Sequence, residues 1–82
     1  MHYVYVLQSL STKRYYVGYS QNLQRRFEEH QTNKSHATKN RGPWKLLYYE
    51  ACGSSADALT RERYLKTAWG KRYIKNRFKH SA

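Results

Sequence analysis

Three features of the sequence predict an α+β fold in which three strands and three helices follow one another as ββαβαα. Two short runs rich in β-branched and aromatic residues lie close together near the N-terminus, a third such run lies past the middle, and the last third of the chain carries apolar residues at helical spacing. The first run, His2–Ser9, and the second, residues 15–19, are separated by a short polar stretch, residues 10–14, and read as a hairpin. With an even number of residues in the turn, the sum of paired positions is odd. Tyr3, Tyr5 and Leu7 then share a face with Tyr16 and Gly18, while Val4, Val6, Tyr15, Val17 and Tyr19 form the other face. Glycine on the first face leaves room for a close approach.

Residues 21–31 have helical character, with Asn22 or Ser20 available as the N-cap and Leu23 and Phe27 as the buried stripe. On a helical wheel with Arg26 at zero, His30 falls at about 40°, Leu23 at about 60° and Phe27 at about 100°, so Arg26 and His30 face inward and Arg25 faces away. Residues 32–42 are polar, basic and aperiodic, and predict a loop, or a loop plus a short helical turn, suited to DNA contacts through Lys39 and Arg41. Trp44–Cys52 reads as the third strand. Gly53, Ser54 and Ser55 end it, with Asp57 completing a weak variant of a capping box. Residues 56–69 predict the clearest helix, with Glu62 at the centre of an apolar stripe of Ala58, Leu59, Leu65 and Trp69. Gly70 is expected to interrupt, and residues 71–80 to continue as a basic helix anchored by Ile74 and Phe78. Trp69, Ile74 and Phe78 are expected in the core, and Cys52 as a small buried apolar residue.

The chain has 82 residues, 16 Lys and Arg against 5 Asp and Glu, a formal charge of +11 and a mean hydropathy of -1.06. That length fits one domain, residues 1–82, with a limited core. Apolar residues make up 39% and aromatics 16%, too much packing material for a disordered basic tail. The longest apolar run, residues 3–7, is far short of the roughly 20 residues a membrane span needs. No secretory signal is visible and Cys52 is the single cysteine, so a reducing, cytoplasmic setting is expected. Zinc-binding spacing and a glycine-rich phosphate loop are both missing. The excess charge makes nucleic acid the expected partner, since each phosphate neutralised releases condensed counterions. Arg26, Lys39, Arg41, Lys71, Arg72, Lys75 and Arg77 are the candidate contacts, and a merely solubilising surface is the alternative.

Together the inward-facing polar groups are Tyr5 and Tyr16 on adjacent strands, Arg26 and His30 on the first helix, and Glu62 on the second. These types suffice for phosphodiester hydrolysis. A divalent ion held by Glu62, Mg²⁺ or Mn²⁺, would act as a Lewis acid, Arg26 would donate to phosphate oxygens, and a phenolate or His30 would take the proton of the attacking water. Each residue also has an ordinary reading. Tyr5 and Tyr16 could simply pack, Arg26 could pair with Glu29, His30 could be a satisfied helix-end histidine, and Glu62 could pair with Lys66 four residues on.

The run Tyr3-Val4-Tyr5, then Tyr16-Val17-Gly18, Asn22-Leu23, Arg26-Phe27 and His30, followed by Ala58-Leu59-Thr60-Arg61-Glu62, resembles the GIY-YIG nuclease domain over nearly the whole chain. It is most similar to the small bacterial group built of that domain alone. The resemblance implies a three-stranded antiparallel sheet flanked by helices and a metal-dependent DNA endonuclease. It implies Tyr5 as general base, Tyr16 as positioning water or base, Arg26 as phosphate ligand, His30 as the histidine one turn later and Glu62 as the single metal ligand. Asn76 is a weak match to a polar residue near some members' sites. The sequence departs from the pattern at Tyr3, in place of glycine, and at Val4 and Val17, each in place of isoleucine. With no separate DNA-reading domain in view, weak sequence preference is expected, with selection for DNA shape or by an accessory protein. The alternatives are a catalytically inactive nucleic-acid-binding module of the same fold and an RNA-associated basic protein.

Overall fold

β-Branched and aromatic side chains place the first strand at the middle of the sheet, where both of its faces are covered. The computed structural model describes residues 1–35 and 38–80. Its elements are β1 (His2–Ser9), β2 (Tyr15–Ser20), α1 (Leu23–Gln31), β3 (Trp44–Cys52), α2 (Ser55–Leu65) and α3 (Ala68–Arg77). The sheet is antiparallel with order β2-β1-β3. Tyr5 pairs with Gly18, Val6 with Val17 and Leu7 with Tyr16, the register that the odd sum requires.

Two apolar layers follow from this register. On one face Val4, Val6 and Val17 pack with Ala58 and Leu65 of α2, Ile74 of α3, and Phe78. On the other, Tyr5, Leu7 and Trp44 pack with Tyr16, Leu46, and Leu23 and Phe27 of α1. The sheet is thus sandwiched between α1 and the α2–α3 pair. A bulge in β3 decides what the second layer contains: Val6 pairs with Tyr48 and Leu7 with Leu46, so Leu47 is the extra residue. Because side chains alternate in a strand, this insertion turns Leu46 and Trp44 onto the Tyr5 face and leaves Leu47 against the valine layer.

Asn22 caps α1, its side chain accepting from the Arg25 amide at 3.0 Å, so the helix starts two residues later than expected. The Ser20 hydroxyl instead braces the backbone of Asn22. The stretch 32–42 is irregular apart from short turns, and residues 36 and 37 lie outside the described residues. Its end is pinned where the Gln31 side chain donates to the Trp44 carbonyl at 2.8 Å and accepts from the Trp44 amide at 2.7 Å.

The C-terminal half corrects several expectations. The predicted helix over 56–69 stops at Leu65, and Thr67 starts α3 by accepting from the Gly70 amide at 3.2 Å. Gly70 therefore lies inside α3 and is needed there, because any Cβ would overlap the Tyr64 carbonyl and the Leu65 backbone. Trp69 is carried out to solvent, 69% exposed, rather than into the core. Leu59 is also exposed, so the buried line of α2 is Ala58 and Leu65, and Glu62 lies at its border instead of its centre. Ile74 and Phe78 are buried as expected, whereas Cys52 is half-buried against the valine layer.

Candidate active site

The centre of the site is made by the closest approach in the sheet. The Tyr5 ring lies against Gly18 on the neighbouring strand, and a Cβ at Gly18 would overlap the Cζ and hydroxyl of the ring. The missing side chain lets the buried phenol reach toward the outer strand. There the Tyr5 hydroxyl is hydrogen-bonded to His30 Nε2 at 2.9 Å, and His30 Nδ1 is hydrogen-bonded to Thr38 Oγ1 at 2.6 Å. His30 and Thr38 are both fully buried. The Tyr16 ring closes the cluster, its centroid 5.1 Å from that of His30 and 6.4 Å from that of Tyr5.

Burial sets the protonation of this chain of hydroxyl, imidazole and hydroxyl. It pushes His30 down to about 4, with the Arg26 charge adding to the effect, so the imidazole is neutral at pH 7. Burial, and then Tyr16, push Tyr5 up to about 12, while Arg26 opposes them. Arg26 bonds to Glu29 Oε1 at 2.8 Å and Ser35 Oγ at 3.4 Å, and its guanidinium also reaches the Tyr5 hydroxyl closely enough to favour a phenolate there. Glu62 also acts on Tyr5, in the opposite sense, although it comes from a helix on the other side of the sheet. Its Oε2 is paired with Lys66 Nζ at 3.1 Å. The ordinary partners considered for Arg26 and Glu62 are therefore both present, alongside the shared neighbourhood of Tyr5. Among the described residues no group of three or more His, Cys, Asp and Glu side chains could hold a metal ion.

Of the expected nucleic-acid contacts, Arg41, Lys71 and Lys75 line one cleft together with Arg14 and Lys66. Arg72 instead lies over the Trp69 ring at 5.1 Å, Arg77 over Tyr48 at 5.2 Å and Phe78 at 5.9 Å, and Lys39 is an exposed turn residue. Thr38, Ser35 and Arg14 were not singled out from sequence, and Lys66 only as an ordinary partner of Glu62. Thr38 and Ser35 lie in an aperiodic stretch, where no spacing relates them to His30 or Arg26.

The depressed His30 makes stability depend on pH. Folding favours the neutral imidazole, so the contribution is complete above the unfolded value of 6.5 and is lost as pH falls toward about 4. The loss is at most about 3 kcal/mol. Urea unfolding between pH 7.5 and 4 should show this fall in wild type and a shallower one in His30→Gln. Equal profiles would show that His30 does not carry it.

Comparison with known proteins places the chain. A family model described as the GIY-YIG catalytic domain matches residues 1–78. The chain is 41% identical over 68 residues to a UPF0213 protein of Limosilactobacillus reuteri (strain DSM 20016), covering 79% of this chain and 70% of that one. It is 37% identical over 67 residues to a UPF0213 protein of Natronomonas pharaonis, covering 80% and 78%. The solution NMR structure of a UPF0213 protein from Bacillus halodurans is similar with a TM-score of 0.57 at 29% identity, over 92% of this chain and 82% of the other.

Proposed function

Because the chain belongs to the GIY-YIG catalytic domain family, we propose that it is a metal-dependent DNA endonuclease, a phosphodiester hydrolase with low sequence specificity or a preference for DNA structure. The observation that carries this reading is the buried hydrogen-bonded chain of Tyr5, His30 and Thr38 with the Arg26 charge acting on Tyr5, packed against Tyr16, which lines a cleft of cations. No described helix is long and apolar enough to cross a membrane.

Glu62 fits a divalent cation of the Mg²⁺ type. It offers hard carboxylate oxygens at a half-buried position with the Lys66 pair on one of them, and Mg²⁺ is commonly held by one or two carboxylates plus waters and substrate phosphate. Bound there, Mg²⁺ or Mn²⁺ would supply Lewis-acid polarisation of the phosphate and stabilise the leaving oxygen. Arg26 turns from Glu29 to the phosphate oxygens as negative charge accumulates. The exchange is inexpensive because the Arg26–Glu29 pair is partly solvated.

The positions of the protons decide how Tyr5 acts. With its pKa near 12, the fraction of free phenolate at pH 7 is only about 10⁻⁵, too little for a standing base. Tyr5 instead works as a relay. Its hydroxyl donates to His30 Nε2, and His30 Nδ1–H donates to Thr38 Oγ1, the tautomer that leaves Nε2 able to accept. As water attacks, the Tyr5 oxygen takes the water's proton and passes its own to His30, a transfer that burial opposes and that the negative charge building on the phosphate favours. Tyr16 packs against both rings and lines the cleft.

The test is cleavage of labelled duplex, nicked, flap and four-way-junction DNA with Mg²⁺, with Mn²⁺ and with EDTA, with binding measured in parallel. Wild type should cut only with metal, and Tyr5→Phe, which keeps the ring and loses the relay, should cut about 10²-fold more slowly. Binding without cleavage under every metal condition would favour the inactive binding module.

A further inference from the structure

We infer that the nucleic-acid backbone leaves the site in one direction only, along the cleft on the outer edge of β2 toward the hairpin turn, so that the contacts are asymmetric about the reacting phosphate. The inference takes its substrate from the nuclease reading. Its own support is the shape and charge of the cleft.

The cleft encloses about 930 Å³ and is lined by Arg14, Arg41, Lys66, Lys71 and Lys75, with no acidic residue in its wall. Lys66 is paired with Glu62, whereas Arg14, Arg41, Lys71 and Lys75 form no ion pair with any described carboxylate. Four uncompensated cations in one concavity create a focused positive potential, and a polyanion is the partner that releases counterions on entering it. A second copy of the chain is disfavoured by the charge of +11 on each.

Continuity with the site fixes the direction. β2 is an edge strand, so its outer side is unpaired in the sheet. Tyr16, which packs on Tyr5 and His30, belongs to the cleft, and so does Lys66, which holds Glu62. From there the lining runs back along the strand through Tyr15 to Arg14 and Thr12 at the turn. Tyr19 and Ser20, past Gly18 in the other direction, do not contribute, and the Tyr19 hydroxyl is hydrogen-bonded to His2 Nδ1 at 2.7 Å. The cationic lining begins at the site and extends to one side of it.

Two measurements in EDTA separate this inference from catalysis. The first is the salt dependence of binding to a fluorescein-labelled oligonucleotide for wild type, for Arg14→Gln/Lys71→Gln/Lys75→Gln, and for the charge-matched Arg25→Gln/Arg63→Gln/Lys79→Gln. Each phosphate contact contributes roughly 0.7 to 0.9 to the slope of log K against log salt, so the cleft triple should flatten it by about 2 to 3. Affinity should fall at least tenfold in the cleft triple and less than threefold in the control. Equal losses in both would overturn the cleft in favour of diffuse charge. The second is amide chemical-shift mapping with the same oligonucleotide. Shifts should concentrate at residues 12–17, 66, 71 and 75 and spare His2, Tyr19 and Ser20. Shifts at both ends of β2 would overturn the one-sided path. Binding in the cleft with no cleavage in Mg²⁺ would instead refute the nuclease reading alone.

Discussion

Glu62→Ala is expected to lower metal-dependent cleavage about 10³-fold while DNA binding is kept or strengthened. A Lewis acid at the reacting phosphate contributes several kcal/mol of transition-state stabilisation, and about 4 kcal/mol corresponds to that loss of rate. Binding moves the other way because the substitution removes a negative charge and releases Lys66, at present 3.1 Å from Glu62 Oε2, into the cleft. Folding should barely change, since a solvent-accessible pair four residues apart, with Lys66 mostly exposed, is worth only about 0.3–0.5 kcal/mol. Single-turnover cleavage at saturating protein, with anisotropy binding and urea unfolding on the same samples, checks all three. Cleavage within threefold of wild type would leave Glu62 as no more than the partner of Lys66.

Gly18→Ala is expected to damage the fold and the site together. The new Cβ would overlap the Cζ and hydroxyl of Tyr5, a nearly fully buried ring packed between Leu7, Trp44 and α1. Backbone pairing on one side and core packing on the other leave the ring no small adjustment, so the cost falls at the upper end of overpacking, about 3 kcal/mol. A ring forced aside also breaks the 2.9 Å bond to His30 and lowers cleavage by about 10²-fold. Combining Gly18→Ala with Tyr5→Ala discriminates the cause. If the two residues clash, the double variant should be more stable than the sum of the single losses by 1 kcal/mol or more, whereas additive losses would place the damage elsewhere. Urea denaturation of the four proteins gives the answer.

Much of the site was legible because its residues come from regular elements. Alternation along β1 and β2 put Tyr5, Tyr16 and Gly18 on one face, and the register agrees. The helical period of α1 turned His30 inward, and it is fully buried, while Arg26 beside it stays half-buried. Periodicity served less well in the C-terminal half. There Leu59 and Trp69 extended an apolar stripe on paper, while Thr67 capped a new helix and both side chains came out exposed. A threonine able to bond the amide three residues ahead outweighed the continuity of the pattern. Thr38 was illegible for a different reason, since its contact with His30 depends on the path of an irregular loop.

The sequence by itself determined the α+β class, the hairpin register, the inward set of tyrosines, arginine and histidine, and the positive charge that makes a polyanion the expected partner. These properties depend on residue type and on periods of two or 3.6, which are local and survive without knowledge of long-range contacts. Only the tertiary structure decided that Leu47 bulges and turns Trp44 onto the Tyr5 face, that Thr38 completes the hydrogen bonds of His30, and that Arg14 and Lys66 join Arg41, Lys71 and Lys75 in one cleft. Each of these brings together segments far apart in the chain, and such meetings are set by how the layers pack rather than by any spacing along the sequence.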